Sequence, residues 1–165
     1  MLNLGQSASL KNSANNKIKI KKTILKIPSD IKYLKKVSSK ILESLETYKI
    51  DESGIFDIRL CVEEAVINAV VHGNRRDKRK SVKIAYWIKD GLLNIEVEDK
   101  GSGFDYKQMP DPTVNDNIMK GSGRGLYLIK NIMDEVEYNK AGNKMRMVKY
   151  LEPKTKLTIK EKPCR

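Results

Sequence analysis

A carboxylate, an amide and an imidazole recur at four-residue spacing in one segment of the 165-residue chain. Glu64, Asn68 and His72 would share one stripe of a helix. An amide oxygen is a ligand that Mg²⁺ accepts, and a carboxylate one turn away could take a proton from a water or a hydroxyl. A solvated helix face is the competing interpretation, because polar groups aligned in this way are costly only when they are buried. A zinc protease site needs two histidines at this spacing, and the chain has one.

A second segment whose residues could bind a ligand begins at Asp99, at the end of a predicted strand. Asp99 is followed by Gly101, Gly103 and Phe104. Two glycines after a carboxylate allow the backbone to approach a flat ligand closely, and the carboxylate could accept from an exocyclic amino group. The alternative is a glycine-rich turn in which Asp99 forms an Asx turn.

A third segment is rich in glycine and opens a predicted helix. Backbone N–H groups at a helix start, free of Cβ crowding at Gly121, Gly123 and Gly125, can bind phosphate. Lys120 and Arg124 could add charge-assisted contacts. A flexible linker is the alternative. The segment lacks the G-K-[ST] ending of a Walker A loop, and no strand directly precedes it as in a dinucleotide fingerprint.

The elements that must position these segments follow from hydrophobic periodicity. Alternation predicts strands over 18–27 (an edge strand), 82–88 and 93–97, with a turn at Asp90-Gly91, and a final hairpin over 135–151. Helical spacing predicts a helix from Ile31 to about Lys49, one from an Asp51 cap to Gly73, and one over about 124–134. Residues 100–123 show little periodicity, and a loop of this length is usually functional.

The order β-α-α-β-β-loop-α-β-β predicts an α+β fold. Grouped helices and hairpin-linked strands form a two-layer α/β sandwich, in which a mixed, mainly antiparallel sheet is covered on one face by helices. A Rossmann fold is disfavoured because strands and helices do not alternate.

Charge is spread unevenly along the chain. The formal net charge is +12, of which residues 1–26 carry +6 and residues 153–165 carry +4, leaving +2 for 27–152. This pattern predicts a disordered basic tail over 1–17, one domain over 18–152, and a basic tail over 153–165. The basic cluster from Arg75 to Lys80 is interpreted as a solvated loop, with phosphate or partner binding as the alternative. Nucleic-acid binding is disfavoured, because the tails lack interleaved aromatic residues.

The compartment is predicted from cysteine content and hydropathy. Cys61 and Cys164 are too few for a disulfide framework. The N-terminal residues lack the apolar core of a signal peptide, and no apolar run is long enough to span a membrane. We therefore expect a cytoplasmic protein without membrane association.

In combination, the three segments resemble the sequence boxes of the Bergerat-fold (GHKL, or histidine kinase-like) ATPases. Residues 64–73 resemble the N box, residues 99–104 the G1 box and residues 121–129 the G2 box. The form E-A-x-x-N-A-x-x-H-G, with G-R-G-L-x-L-I and a following Met-Asp-Glu-Val at 133–136, is similar to the bacterial anti-sigma factor serine kinases. The resemblance covers about residues 22–152.

This resemblance implies ATP and Mg²⁺ as cofactors and a role for each box. Glu64 would be the general base, Asn68 would coordinate Mg²⁺, and Asp99 would accept from the adenine amino group. The other implied nucleotide contacts are His72, Gly73, Gly101, Gly103, Phe104, Gly121, Gly123, Arg124, Gly125 and Leu126.

The implied function is that of an anti-sigma regulatory serine kinase. It would transfer the γ-phosphate of ATP to a serine of an anti-anti-sigma protein and would also sequester a sigma factor, with a homodimer left open. The alternative is a non-catalytic ATP-binding switch that controls partner binding through the same residues. A histidine kinase domain is disfavoured, since the single histidine lies inside the N box.

Overall fold

One antiparallel sheet forms the base of the structure. The computed structural model describes residues 21–103 and 124–152. The strands are β1 Thr23–Pro28, β2 Ser81–Lys89, β3 Leu92–Glu98, β4 Glu135–Tyr138 and β5 Lys144–Tyr150. Their order is β1-β2-β3-β5-β4, and all four pairings are antiparallel. β1 lies at an edge of the sheet, as its sequence predicts.

Helices form the second layer. The α-helices are α1 Leu34–Glu43, α2 Glu52–Ile67 and α3 Arg124–Ile132, with a short 3₁₀ helix at Ile31–Tyr33 and a π-helical turn at Asn68–Gly73 that continues α2. α2 packs against both α1 and α3. The predicted α+β two-layer sandwich is therefore confirmed.

The core lies between the two layers. Alternate residues of β2, such as Val82 and Ile84, are fully buried, while Lys83 between them is exposed. Ile95 of β3 and Met147 of β5 face each other in register and are also fully buried. This period of two directs one face of the sheet into the helical layer.

Capping and turn chemistry set most of the element boundaries. The Asp51 carboxylate accepts from the backbone N–H of Gly54 at 2.8 Å, so the predicted cap of α2 is confirmed. The β2–β3 turn has φ values of 51° at Asp90 and 75° at Gly91, as a two-residue hairpin turn of the primed type requires.

The first helix is shorter than predicted. α1 ends at Glu43 rather than near Lys49, because the chain then forms i→i+3 bonds, from Ser44 N to Ile41 O and from Leu45 N to Leu42 O. Leu45 stays buried in these turns. Its burial explains why apolar spacing persists beyond the helix and misled the prediction.

Some predictions lie outside the described residues. These are the two basic tails, most of the loop over 100–123, and three predicted nucleotide contacts, namely Phe104, Gly121 and Gly123. In the part of the chain that the structure describes, no helix has both the length and the apolar character to cross a membrane.

The buried side chain of Asn74 links three segments that are distant in sequence. Its Nδ2 donates to Ser29 Oγ at 2.7 Å and to Ser81 O at 3.1 Å. Its Oδ1 accepts from the backbone N–H of Lys100 at 2.8 Å. The residue has no exposed surface. The end of the second helical segment, the β1–β2 edge and the chain leaving β3 are thereby held together.

Replacement of Asn74 by alanine should destabilise the fold. Asn74→Ala leaves the Lys100 N–H and the Ser81 carbonyl without their partner, and we expect the free energy of unfolding to fall by about 2–4 kcal/mol. Urea denaturation measures this change. Asn131→Ala is the control, because Asn131 is exposed and its side chain bonds, among the described residues, only the nearby Tyr127 carbonyl. Equal losses in both variants would contradict the linking role of Asn74.

Candidate active site

A cavity of about 320 Å³ lies where α2, the end of β3 and the β4–β5 hairpin meet. Its size is within the range of small-molecule sites. Six of the predicted nucleotide contacts line it, and they come from all three sequence boxes. These residues are Asn68, His72, Gly73, Asp99, Gly103 and Leu126.

Asp99 is held from both sides at one end of this cavity. Its backbone N–H donates to Asn143 O at 3.0 Å, and Asn143 Nδ2 donates to Asp99 O at 3.1 Å. Its Oδ1 accepts from the backbone N–H of Gly101 at 2.7 Å. No described residue donates a hydrogen bond to the second carboxylate oxygen. Burial raises the pKa of Asp99 above its usual value, and the Gly101 N–H opposes this rise.

Close backbone contact explains the glycines around Asp99. A Cβ on Gly73 would overlap the Asp99 carboxyl group, and a Cβ on Gly101 would overlap the Gly73 carbonyl. Gly103 has φ of 75°, and a Cβ there would overlap the carbonyl of Ala141 in the β4–β5 hairpin. Larger residues would therefore separate the segments that form this end of the cavity.

The second helical segment does not continue as a regular α-helix to its end. Residues Asn68–Gly73 form a π-helical turn, closed by a hydrogen bond of 2.8 Å from Asn74 N to Ala69 O. The predicted stripe of Glu64, Asn68 and His72 therefore runs from the regular α-helix into this π-turn. Asn68 and the exposed His72 line the cavity, whereas Glu64 is not part of its lining. Such π-turns are frequent at functional sites.

The Asn68 amide contains a buried polar atom that lacks a partner. Its Nδ2 is buried and has no hydrogen-bond partner among the described residues. An unsatisfied buried group of this kind costs about 1–3 kcal/mol, and its position beside a cavity allows a bound ligand to satisfy it. Because the amide can be turned to present its oxygen instead, Asn68 fits either a phosphate oxygen or a cation.

The side chains at the site fit a Mg²⁺ ion that takes few ligands from the protein. No cluster of three or more His, Cys, Asp or Glu within residues 21–103 and 124–152 could hold a metal ion by itself. Mg²⁺ commonly takes one or two protein ligands and fills its shell with water and substrate phosphates. The single amide of Asn68 is consistent with a cation that arrives with a nucleotide.

Two adjacent glutamates of α2 have different surroundings. Glu64 lies against the start of α3, where a Cβ on Gly125 would overlap its carboxylate. Glu63 accepts a hydrogen bond of 2.7 Å from Ser38 Oγ of α1, so it joins two helices. Arg124, at the first position of α3, is exposed. The carboxylate of Glu64 is therefore the one located beside the helix start that the sequence predicts to bind phosphate.

The β4–β5 hairpin contributes a wall that sequence reasoning missed. Tyr138, Asn143, Lys144 and Met145 line the cavity, and burial raises the pKa of Tyr138 to about 12. Lys144 also pairs with Glu96 at 3.2 Å. The hairpin was predicted, but its position beside Asp99 depends on β5 pairing with β3, for which the sequence has no local signal.

Comparison with known proteins agrees with this geometry. Residues 27–149 match the family description Histidine kinase-like ATPase domain. A solved structure of the RsbU and RsbW domains of a Mycobacterium tuberculosis protein has the same fold, with a TM-score of 0.53 and 19% identity over 81% of this chain. The present chain spans 32% of that longer chain. The protein belongs to the histidine kinase-like ATPase family.

Sequence relatives narrow the placement within this family. The chain is 38% identical to the serine-protein kinase RsbW of Bacillus subtilis over 113 residues, which are 63% of this chain and 68% of the relative. It is 27% identical to the serine-protein kinase RsbW of Staphylococcus aureus over 136 residues, which are 78% of this chain and 86% of the relative. Within the ATPase family, the chain belongs with the RsbW proteins.

The raised pKa of Asp99 predicts a pH-dependent effect on stability. Its carboxyl group is neutral in both the folded and unfolded states at low pH, and its ionisation penalises the folded state as pH rises through the folded pKa. Asp99→Asn removes this penalty and can still accept from Gly101. We expect the variant to gain stability relative to wild type as pH rises from 4 to 7, measured by urea denaturation.

Asp77 provides a control of opposite sign. Its hydrogen bonds from Arg79 lower the pKa of Asp77 to about 2, so its ionised form favours folding above the unfolded pKa. Asp77→Asn should therefore lose stability relative to wild type as pH rises from 2 to about 4, between the folded and unfolded pKa values, and the difference should stay nearly constant from pH 5 to 7. A stability difference for Asp99→Asn that shrinks or stays constant as pH rises would contradict the burial of its carboxylate.

Proposed function

We propose that this protein binds ATP with Mg²⁺ in the cavity and transfers the γ-phosphate to a serine of an anti-anti-sigma protein. The observation that carries the proposal is the convergence of three sequence boxes on one cavity, with the Asp99 carboxylate at one end and the Asn68 amide within it. The same protein would alternately sequester a sigma factor in the cytoplasm.

The adenine ring would occupy the end of the cavity next to Asp99. The carboxylate oxygen that Gly101 does not use would accept from the exocyclic amino group of adenine. Gly73 and Gly101 leave no side chain between the ring and the backbone. Ala65, Ala69 and Val97 supply apolar surface for the faces of the ring.

The phosphates would extend along the second helical segment toward Glu64. Gly73 is nine positions after Glu64, which is at most roughly 13 Å at the α-helical rise of 1.5 Å per residue, and this span suits an elongated ligand. Asn68 lies between them and would hold Mg²⁺ through its amide oxygen. Arg124 and the start of α3 would contact the triphosphate. When bound, Mg²⁺ neutralises charge on the phosphates.

Glu64 would act as the general base of the transfer. Its carboxylate would take the proton of the acceptor serine hydroxyl as the serine oxygen bonds to the γ-phosphorus. The bond from that phosphorus to the bridging oxygen breaks, and ADP leaves. Phosphoryl transfer depends largely on positioning and charge stabilisation, so this small set of residues is sufficient.

Phosphate transfer is favoured over the non-catalytic switch by the relatives. Both RsbW proteins compared above are named serine-protein kinases. The structure adds that Glu64 lies beside the start of α3 and is not used to join helices, as Glu63 is. Transfer requires a base at that position, whereas a switch that only binds ATP does not require one.

Asn68→Ala should remove the Mg²⁺-dependent part of ATP binding. We expect ATP affinity in Mg²⁺, measured by calorimetry, to fall at least about tenfold and to approach the value in EDTA, because the amide ligand is lost. The free energy of unfolding should not fall, since Nδ2 has no partner among the described residues. Asn131→Ala serves as the control. Unchanged affinity would exclude Asn68 as the metal ligand.

Glu64→Gln should bind ATP but fail to transfer phosphate. We expect the rate of serine phosphorylation on an anti-anti-sigma protein from the same genome to fall about 10²–10⁴-fold, the usual contribution of a general base. Mass-spectrometric site mapping with quantified turnover measures this. Glu63→Gln is the matched control and should retain transfer. Retained turnover in Glu64→Gln would exclude Glu64 as the base. If the wild-type protein bound ATP without phosphorylating any partner serine, the non-catalytic ATP-binding switch would be favoured.

A further inference from the structure

Arg75 lies at the end of the cavity next to Asp99, which we call the base end because the proposed adenine ring would lie there. The proposed function gives Arg75 no role. The residue follows Gly73 by two residues, is exposed, and lines the cavity together with Gly73 and Asp99. The neighbouring Arg76 is equally exposed but does not line the cavity. The two adjacent arginines therefore differ in their access to the cavity.

The backbone at Arg75 has an unusual conformation. Arg75 and Arg76 have φ values of 54° and 57°, in the left-handed region. Helices commonly end in this conformation, but usually with glycine, because a Cβ is strained there. Hydrogen bonds of 2.8 Å from Arg76 N to Val70 O and from Asn74 N to Ala69 O fix the turn. An arginine in a strained position at the rim of a cavity points to a use for its side chain.

The guanidinium of Arg75 is available for a ligand. Two other cations of the same loop are paired, Arg79 with Asp77 at 2.9 Å and Lys78 with Asp30 at 3.5 Å. Within the described residues, no acid pairs with Arg75. Its group is planar and stacks well on flat aromatic surfaces.

We propose that Arg75 contacts the nucleotide by packing its guanidinium over the purine base. This rests on the proposed function, in which adenine lies against Asp99. A phosphate contact does not fit the position, since the helix places Arg75 beyond Gly73, at the opposite end from Glu64 and the start of α3. Arg75 thereby closes the base end of the site and adds affinity that is independent of the phosphates.

The test compares Arg75→Gly with Arg76→Gly. Glycine accepts the left-handed conformation at both positions, so neither variant should lose stability. Calorimetric titrations use ATP and adenosine as the two probes. Arg75→Gly should weaken both by the same factor, about tenfold, as expected for loss of one stacking contact with a base. Arg76→Gly should match wild type. Arg75→Lys keeps the positive charge but lacks the planar guanidinium, and it should show most of the loss of affinity seen in Arg75→Gly.

Several outcomes would overturn the inference. The first is unchanged affinity in Arg75→Gly. The second is a loss of affinity for ATP but not for adenosine, which would indicate a phosphate contact. The third is an equal loss in both glycine variants, which would indicate a general effect of charge. Wild type that binds neither ATP nor adenosine would instead overturn the proposed function, and the inference with it.

Discussion

A single buried amide holds the candidate active site together. Asn74 uses both of its amide atoms, and its three partners belong to β1–β2 and to the chain after β3. Because an unpaired amide would be costly in the interior, loss of any one of these bonds would destabilise the junction. The contact between Gly73, Gly101 and the Asp99 carboxylate depends on this linkage, since it fixes the end of the second helical segment against the strand end that carries Asp99.

Several local rules of stability are broken around this linkage, at the cavity or directly beside it. The helix widens into a π-turn, two arginines occupy the left-handed region, the Asp99 carboxylate is partly buried, and an Asn68 amide nitrogen has no partner among the described residues. The sheet and the α1–α2 contact obey these rules. Such a division is expected when a well-packed scaffold supports a site arranged for a ligand.

The elements that could be predicted are those specified by short-range chemistry. Alternation in β2 and β3, the Asp51 cap and the Asp90-Gly91 turn each depend on residues close in sequence. The boxes at 64–73 and 99–104 carry enough of the site to predict its chemistry. The π-turn, the links from Asn74 and the wall formed by the β4–β5 hairpin could not be predicted, because they depend on which strands become neighbours. The end of α1 was missed because Leu45 is buried by tertiary packing after the helix has stopped.

The central claim is that Asp99 recognises the exocyclic amino group of adenine. The most direct measurement is the calorimetric affinity of the wild-type protein for ATP and for inosine triphosphate, which has a carbonyl oxygen in place of that amino group. The account predicts that ATP binds at least about tenfold more tightly, because inosine would place a carbonyl oxygen against a partly buried carboxylate and leave it unpaired. Equal affinity for the two nucleotides would contradict the account.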